Sequence, residues 1–382
     1  MNNKEINNNK KFDYLDLLRS WVMIIMVEVH VFNAFLKPEI RQEGWFHILN
    51  FINGMVASSF IFAAGFAFIV SSKNKIDDLR SLGPQFRKKL RRIGFIFFVG
   101  YLIHIPYFSL RSNLFNTDEN MFKSFYNTDV LQCIGAGMLI LLALRIIIKS
   151  ERIFNIMTIL FLLLFVLLAP IIWHIDFSKF MPLFFACYFN EVHGSFFPIF
   201  PWIGFLFAGA VTAIALLWFR DRGKEDLFMK GLFFCGIVFI AIAFPAINWL
   251  KAFPWYEIRP SPIFFIQRLG VVFILLYLLS IFCKNRDFSR SYFFDMSRES
   301  LLVYWFHLQI IYRLRFDGRS INYIVNQSFG IIECSIATLI LLVIVIVAAV
   351  IWAGIKRNHP KLARKIFISF IICGLIFFCV SK

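Results

Sequence analysis

The chain has 382 residues, 59% of them hydrophobic and only 16% charged, yet 40 basic against 23 acidic side chains leave a formal charge of +17. Runs such as 154–173, 231–250 and 331–352 are each about 20 residues long and almost purely apolar, which excludes a soluble enzyme and implies a polytopic helical membrane protein. The seven cysteines stand singly in apolar segments with no C-x-x-C pair, so they read as small hydrophobes and no metal site is expected.

In chain order the apolar segments predict spans near 15–36, 47–72, 93–108, 129–148, 154–174, 196–219, 231–250, 263–283, 299–313, 330–355 and 366–380. The fold expected is all-α, a bundle of ten or eleven transmembrane helices forming one domain over 1–382. The N-terminus and alternate loops hold 27 of the 40 Lys and Arg, the opposite loops and C-terminus 11, and the spans two, Arg19 and Arg268. That asymmetry predicts a cytoplasmic N-terminus in the cytoplasmic (inner) membrane and explains the charge without a nucleic-acid partner. The first span carries internal charges and no small-residue cleavage site, so it is expected to remain in the mature protein.

The first span contains RSWVMIIMVEVH, and intramembrane charge costs roughly 2.5 to 3.5 kcal/mol per residue on insertion scales. Eleven residues at 100° each leave Arg19 and His30 about 20° apart on one helix face, separated by about 16 Å along the axis. The same face carries Asp16, Met23, Met26 and Asn33, a polar stripe that reads as the wall of a path. Glu28 lies about 160° from His30 and must find its partner on another helix.

Further along, Gly54, Ser58, Ser59, Ala63, Ala64 and Gly65 permit close helix packing in the second span. The loop at 73–92 ends in FRKKLRRIGF, whose Arg87, Lys88, Lys89, Arg91 and Arg92 suit either phosphate binding or topology and lipid headgroups. In the sixth span Pro198 and Pro201 are expected to break the helix before Trp202, which suits the mouth of a substrate site. The ninth span places Tyr304 and His307 on one face, beside Glu299, Gln309 and Tyr312. His104, His174, His193 and His359 form no ligand pattern, and no G-x-S-x-G, P-loop or glycine-rich dinucleotide turn occurs.

An arginine, ten residues and a histidine, introduced by YLDLLR at Tyr14 to Arg19, resembles the signature of the integral-membrane acyltransferases (acyltransferase family 3). FINGMVASSFIFAAGFAF at Phe51 to Phe68, DVLQCIGAGMLILLAL at Asp129 to Leu144, FFPIFPWIGFLFAGAV at Phe196 to Val211 and SLLVYWFHLQIIY at Ser300 to Tyr312 are similar to the heparan-α-glucosaminide N-acetyltransferase family. The resemblance implies transfer of an acyl group, usually acetyl, from cytoplasmic acyl-CoA to a hydroxyl or amine of an extracytoplasmic glycan or lipid-linked acceptor. It makes His30 the catalytic candidate and Arg19 its companion, able to orient a carbonyl or the cofactor's phosphates. In heparan-type relatives the reactive histidine lies in the loop after the first span, which makes His47, just past Trp45, the rival.

On this reading the basic cluster holds acyl-CoA with Arg19, while Asn33, Trp202, Tyr304 and His307 line the acceptor's approach. Membrane lipids are the other expected partners, and a helical bundle of this kind is compatible with a homo-oligomer. A transporter or flippase of a small or lipid-linked substrate is the alternative class, because a polar stripe and a broken helix also suit passage. The two halves of the chain show no clear repeat, which weighs against it.

Overall fold

The computed structural model describes residues 12–381, apart from 106, 116, 118, 255, 285, 287–291 and 314–318. The expected basic residues Lys4, Lys10, Lys11, Arg290 and Arg315 lie outside the described residues, as does Lys382. The long helices are α1 (Asp13–Phe35), α2 (Gly44–Asn53), α3 (Met55–Ser72), α4 (Pro84–His104), α5 (Val130–Ile147), α6 (Glu151–Leu167) and α7 (Ile199–Arg220). They continue as α8 (Glu225–Leu250), α9 (Pro262–Cys283), α10 (Tyr292–Arg298), α11 (Ser300–Tyr312), α12 (Ile331–Asn358) and α13 (Pro360–Val380). Among the described residues there is no strand, only an isolated bridge between Leu36 and Phe329, so the all-α bundle stands.

Seven helices among the described residues are long and apolar enough to cross a membrane, including Gly44–Ser72, Ile199–Arg220 and Ile331–Asn358. The helices that miss this standard do so for a reason. α1 carries Asp13, Asp16, Arg19 and Glu28, α4 opens on the basic cluster, and α11 has only 13 residues. α6, at 17 residues, falls outside it as well, and α1, α4 and α11 join α5 in building the site below.

Two sequence expectations need correction. The cluster Arg87 to Arg92 is not loop: Pro84 follows Gly83 at the first helical position and no breaker intervenes, so these residues form the opening turns of α4. The break expected at Pro198 and Pro201 is present, but at the very start of α7 rather than within the span. Pro198 is the N-cap residue of α7, Phe200 is non-helical, and the regular helix runs on from Pro201, where a missing N–H costs least.

α7 forms the centre, against α3 on one side and α6 on another. The α3–α7 approach depends on two glycines. A Cβ on Gly65 would overlap the Leu206 carbonyl oxygen, and one on Gly209 would overlap that of Phe62, so the two backbones touch without intervening side chains. Gly209→Leu is therefore expected to abolish a monodisperse, folded species in detergent size-exclusion chromatography, whereas Gly231→Leu, on an open surface, should elute as wild type.

Candidate active site

α1 and α11 run side by side in the same direction, and their contacts define two polar centres at opposite ends. At the first, Arg19 donates from Nη2 to Ser300 Oγ at 3.0 Å and faces Asp16 Oδ1 at 3.5 Å. Asp16 Oδ1 also accepts from Ser297 Oγ at 3.1 Å, and Ser20 Oγ donates to the carbonyl of Phe293 at 3.0 Å. A desolvated guanidinium is thus tied to the start of α11 through hydroxyls and a neighbouring carboxylate.

The basic helix reaches this end. Arg92 stands close enough to Arg19 for their charges to repel, and Lys89 interacts in the same way with Arg92 and Lys75. Lys89 also donates to Ser71 Oγ at 2.9 Å and sits 4.3 Å over the Phe68 ring. Beyond Lys75 opens a cleft of about 840 Å³, lined by Lys73, Lys75, Arg80 and Lys149 among others. Basic side chains therefore run from the cleft, whose walls also carry Asp77, Asp78 and Glu151, through Lys89 and Arg92 to Arg19. Arg87, Lys88 and Arg91 are exposed on the same turns of α4.

The second centre is a pair of histidines. His30 Nδ1 lies 2.8 Å from the Met26 carbonyl and 3.3 Å from His307 Nε2, while His307 Nδ1 lies 2.7 Å from the Val303 carbonyl. A ring nitrogen that close to a carbonyl oxygen must carry its proton, so both imidazoles are Nδ1–H tautomers when neutral. His307 Nε2 then accepts from His30, and His30 Nε2 keeps its lone pair.

His307 is fully buried, and Tyr304, one turn earlier, donates to Asp129 Oδ2 at 2.9 Å. Asp129 caps α5 through Oδ1, which accepts from the Val130 N–H at 2.6 Å. His104, at the end of α4, brings Nε2 to 3.5 Å of Asp129 Oδ2. Beside them Gln132, wholly buried against Gly100, has neither its amide nitrogen nor its oxygen partnered among the described residues. Buried polar groups are rarely left unpaired, so an orphaned amide marks room for a ligand's hydrogen bonds.

Thus the structure joins His30, Tyr304 and His307, and joins Arg19 with Arg92. It does not gather the rest. Asn33 is exposed at the end of α1, with its carbonyl taken by Arg41 Nη2 at 3.0 Å. His47 is exposed on α2, without a hydrogen-bond partner among the described residues. Trp202 is buried on α7 against Phe197 and Phe264. Along the stripe, Met23 and Met26 are packed shut, at 0% and 3% exposure, so the two centres are separated by two thioether side chains. Asp129 and His104 escape the reading of single helices, because their partners come from elements distant in sequence.

These features define an integral membrane protein with a histidine centre buried among its helices. The family model for the heparan-alpha-glucosaminide N-acetyltransferase catalytic domain matches residues 11–240, more than half of the chain, and the chain belongs to that acetyltransferase family. A comparison with curated proteins gave no match. Tyr304 and His307 lie beyond the matched segment, so the partner of His30 comes from outside it.

Proposed function

We propose that this protein transfers an acetyl group from cytoplasmic acetyl-CoA to a hydroxyl or amine of a glycan or lipid-linked acceptor on the opposite side. The observation that carries the reading is the histidine pair. His30 Nε2 is free to take the acceptor's proton, the acceptor oxygen or nitrogen attacks the thioester carbonyl, and the CoA sulfur leaves with the proton returned from His30. The imidazolium formed on the way donates its Nδ1–H to Met26 and His307, so neutral His307 stabilises the charge and fixes the ring.

Arg19 stands about 16 Å along α1 from His30, a separation suited to an extended pantetheine arm. The cleft and the charges on Lys89 and Arg92 supply a route for the nucleotide end, with Arg87, Lys88 and Arg91 as further phosphate contacts. The family resemblance and the 27-to-11 division of basic residues support placing this end in the cytoplasm. The spacing from Arg19 to His30 supports kinship with the family-3 acyltransferases as well. Tyr304, His307 and Gln132 would face the acceptor.

The test is acetyl-CoA dependence. Acetyl-CoA should raise the thermal unfolding temperature of the purified protein, and replacing both Lys89 and Arg92 by Gln should raise the KM for acetyl-CoA about tenfold, with little change in kcat. The loss should shrink at high salt, since contacts at a wet surface are screened. A folded double variant with unchanged acetyl-CoA kinetics would reduce the basic track to a topology signal, and a protein that neither binds nor cleaves acetyl-CoA would favour a transporter.

A further inference from the structure

The joint between α10 and α11 is gripped from two sides. On one side three of its residues hold α1: the Phe293 carbonyl accepts from Ser20, Ser297 Oγ donates to Asp16, and Ser300 Oγ accepts from Arg19. On the other side two carboxylates hold the last turn of α12. Lys356 Nζ donates to Glu299 Oε1 at 2.7 Å and to Oε2 at 3.0 Å, and Arg357 Nη1 lies 3.6 Å from Asp295 Oδ1. At about 100° per residue Asp295 lies opposite both Phe293 and Ser297 on α10, so this short helix is a strip with one face for each neighbour.

The grip is firmer on the α12 side. Asp295 is 2% exposed and also meets Arg298 Nη1 at 3.4 Å, while both oxygens of Glu299 are taken by one ammonium. Removing one partner of such a shielded pair leaves the other charge uncompensated, so these contacts resist displacement. Arg19 is held by less. Its carboxylate partner Asp16 stands at 3.5 Å, Arg92 repels it, and the 3.0 Å bond to Ser300 is its shortest contact among the described residues. The position of Ser300 therefore sets the direction of the guanidinium, and Glu299, adjacent in the chain, sets the position of Ser300.

We propose that Glu299 and Lys356, supported by Asp295 and Arg357, are positioning residues for acetyl-CoA binding: the last turn of α12 seats the α10–α11 joint against α1 and thereby aims Arg19 at the cofactor. None of the four touches the cofactor; each acts through Ser297, Ser300 and Arg19. An ion pair that seats a joint in this way depends on opposite charge more than on which side carries which sign, so its effect should survive reversal of both partners. This deepens the proposed function and rests on its acetyl-CoA, whereas the seating of the joint is read without any substrate, so either can fail alone.

The experiment compares Glu299→Lys, Lys356→Glu and the double reversal in the full chain. Each single reversal should raise KM for acetyl-CoA about fivefold with kcat nearly unchanged, and the double reversal should return KM to within about twofold of wild type. Loss of folded protein lowers the rate in proportion and leaves KM where it was, so a merely structural role does not move this readout. Each change is also combined with Ser20→Cys, whose thiol replaces a fully buried hydroxyl at the contact between α1 and α10. Labelling of that thiol by N-ethylmaleimide, located by peptide mass spectrometry, should be slow in the otherwise wild-type chain, about tenfold faster in each single reversal and slow again in the double reversal. Should the single reversals fail to fold, Glu299→Gln and Lys356→Gln are read in the same two ways, with smaller shifts in the same direction. Unchanged KM or unchanged labelling in folded single variants overturns the proposal, as does a double reversal no better than the singles. If wild type does not respond to acetyl-CoA at all, the proposed function fails, and the labelling alone decides whether α12 seats the joint.

Discussion

His30→Ala is expected to lower acetyl transfer by about 10² to 10⁴-fold, the contribution of a positioned general base, while acetyl-CoA still stabilises the variant against heat. Among the described residues its ring hydrogen-bonds with the Met26 carbonyl and His307, and the Tyr312 hydroxyl lies 3.3 Å from the His30 carbonyl rather than from the imidazole, so truncation leaves that backbone contact in place. His307→Ala should retain more activity than His30→Ala, because it removes the support of the charged ring and not the base. His47→Ala should transfer at close to the wild-type rate, since His47 is exposed on α2 and makes no hydrogen bond to this pair. Turnover measured with a radiolabelled acetyl donor separates the outcomes: an active His30 variant beside an inactive His47 variant would move catalysis to α2.

Asp129 offers the second large effect, divided between two variants. Asp129→Ala removes the cap of α5 and orphans the buried Tyr304 hydroxyl, a loss of roughly 2 to 4 kcal/mol from the two contributions together, enough to deplete the folded protein. Asp129→Asn keeps an oxygen for the cap and a polar partner for Tyr304, so it should fold. It lacks the negative charge facing His104, however, and transfer should fall at least tenfold, with a displaced pH profile. A folded Asp129→Asn enzyme with the wild-type rate and pH profile would make Asp129 a helix cap and nothing more.

Much of this arrangement is legible in the order of the amino acids. Each of the eleven apolar segments falls on a helix, seven of them long and apolar enough among the described residues to span, because a bilayer forces each span to satisfy its backbone within itself. Helical periodicity puts Arg19 and His30 on one face, and that face does meet α11. Periodicity within a helix is silent about which helices touch, so the links from His30 to His307, 277 positions away, and from Tyr304 to Asp129, 175 away, are not readable in this way. Asp129 opens an apolar segment and His104 closes another; each is unremarkable until α4, α5 and α11 come together. For Glu28 periodicity foretells only a partner on another helix, and its contact with Asn53 fits that expectation. The prolines before Trp202 do announce the non-helical Phe200, but not its place at the start of α7, because a proline that starts a helix and one that breaks it look alike until the helix boundary is known.

The packed thioethers of Met23 and Met26 bear on the energy economy of the cell. A bundle that hands a group across a bilayer needs a passage, and a passage lined with histidines and carboxylates would also conduct protons and dissipate the gradient the membrane maintains. On the proposed function, Met23 and Met26, unbranched and ionless between Arg19 and His30, would close such a route, and each has enough rotatable bonds to make way for a slender chain. The substrate chain itself would then displace the two thioethers, and insulation would need no separate moving gate.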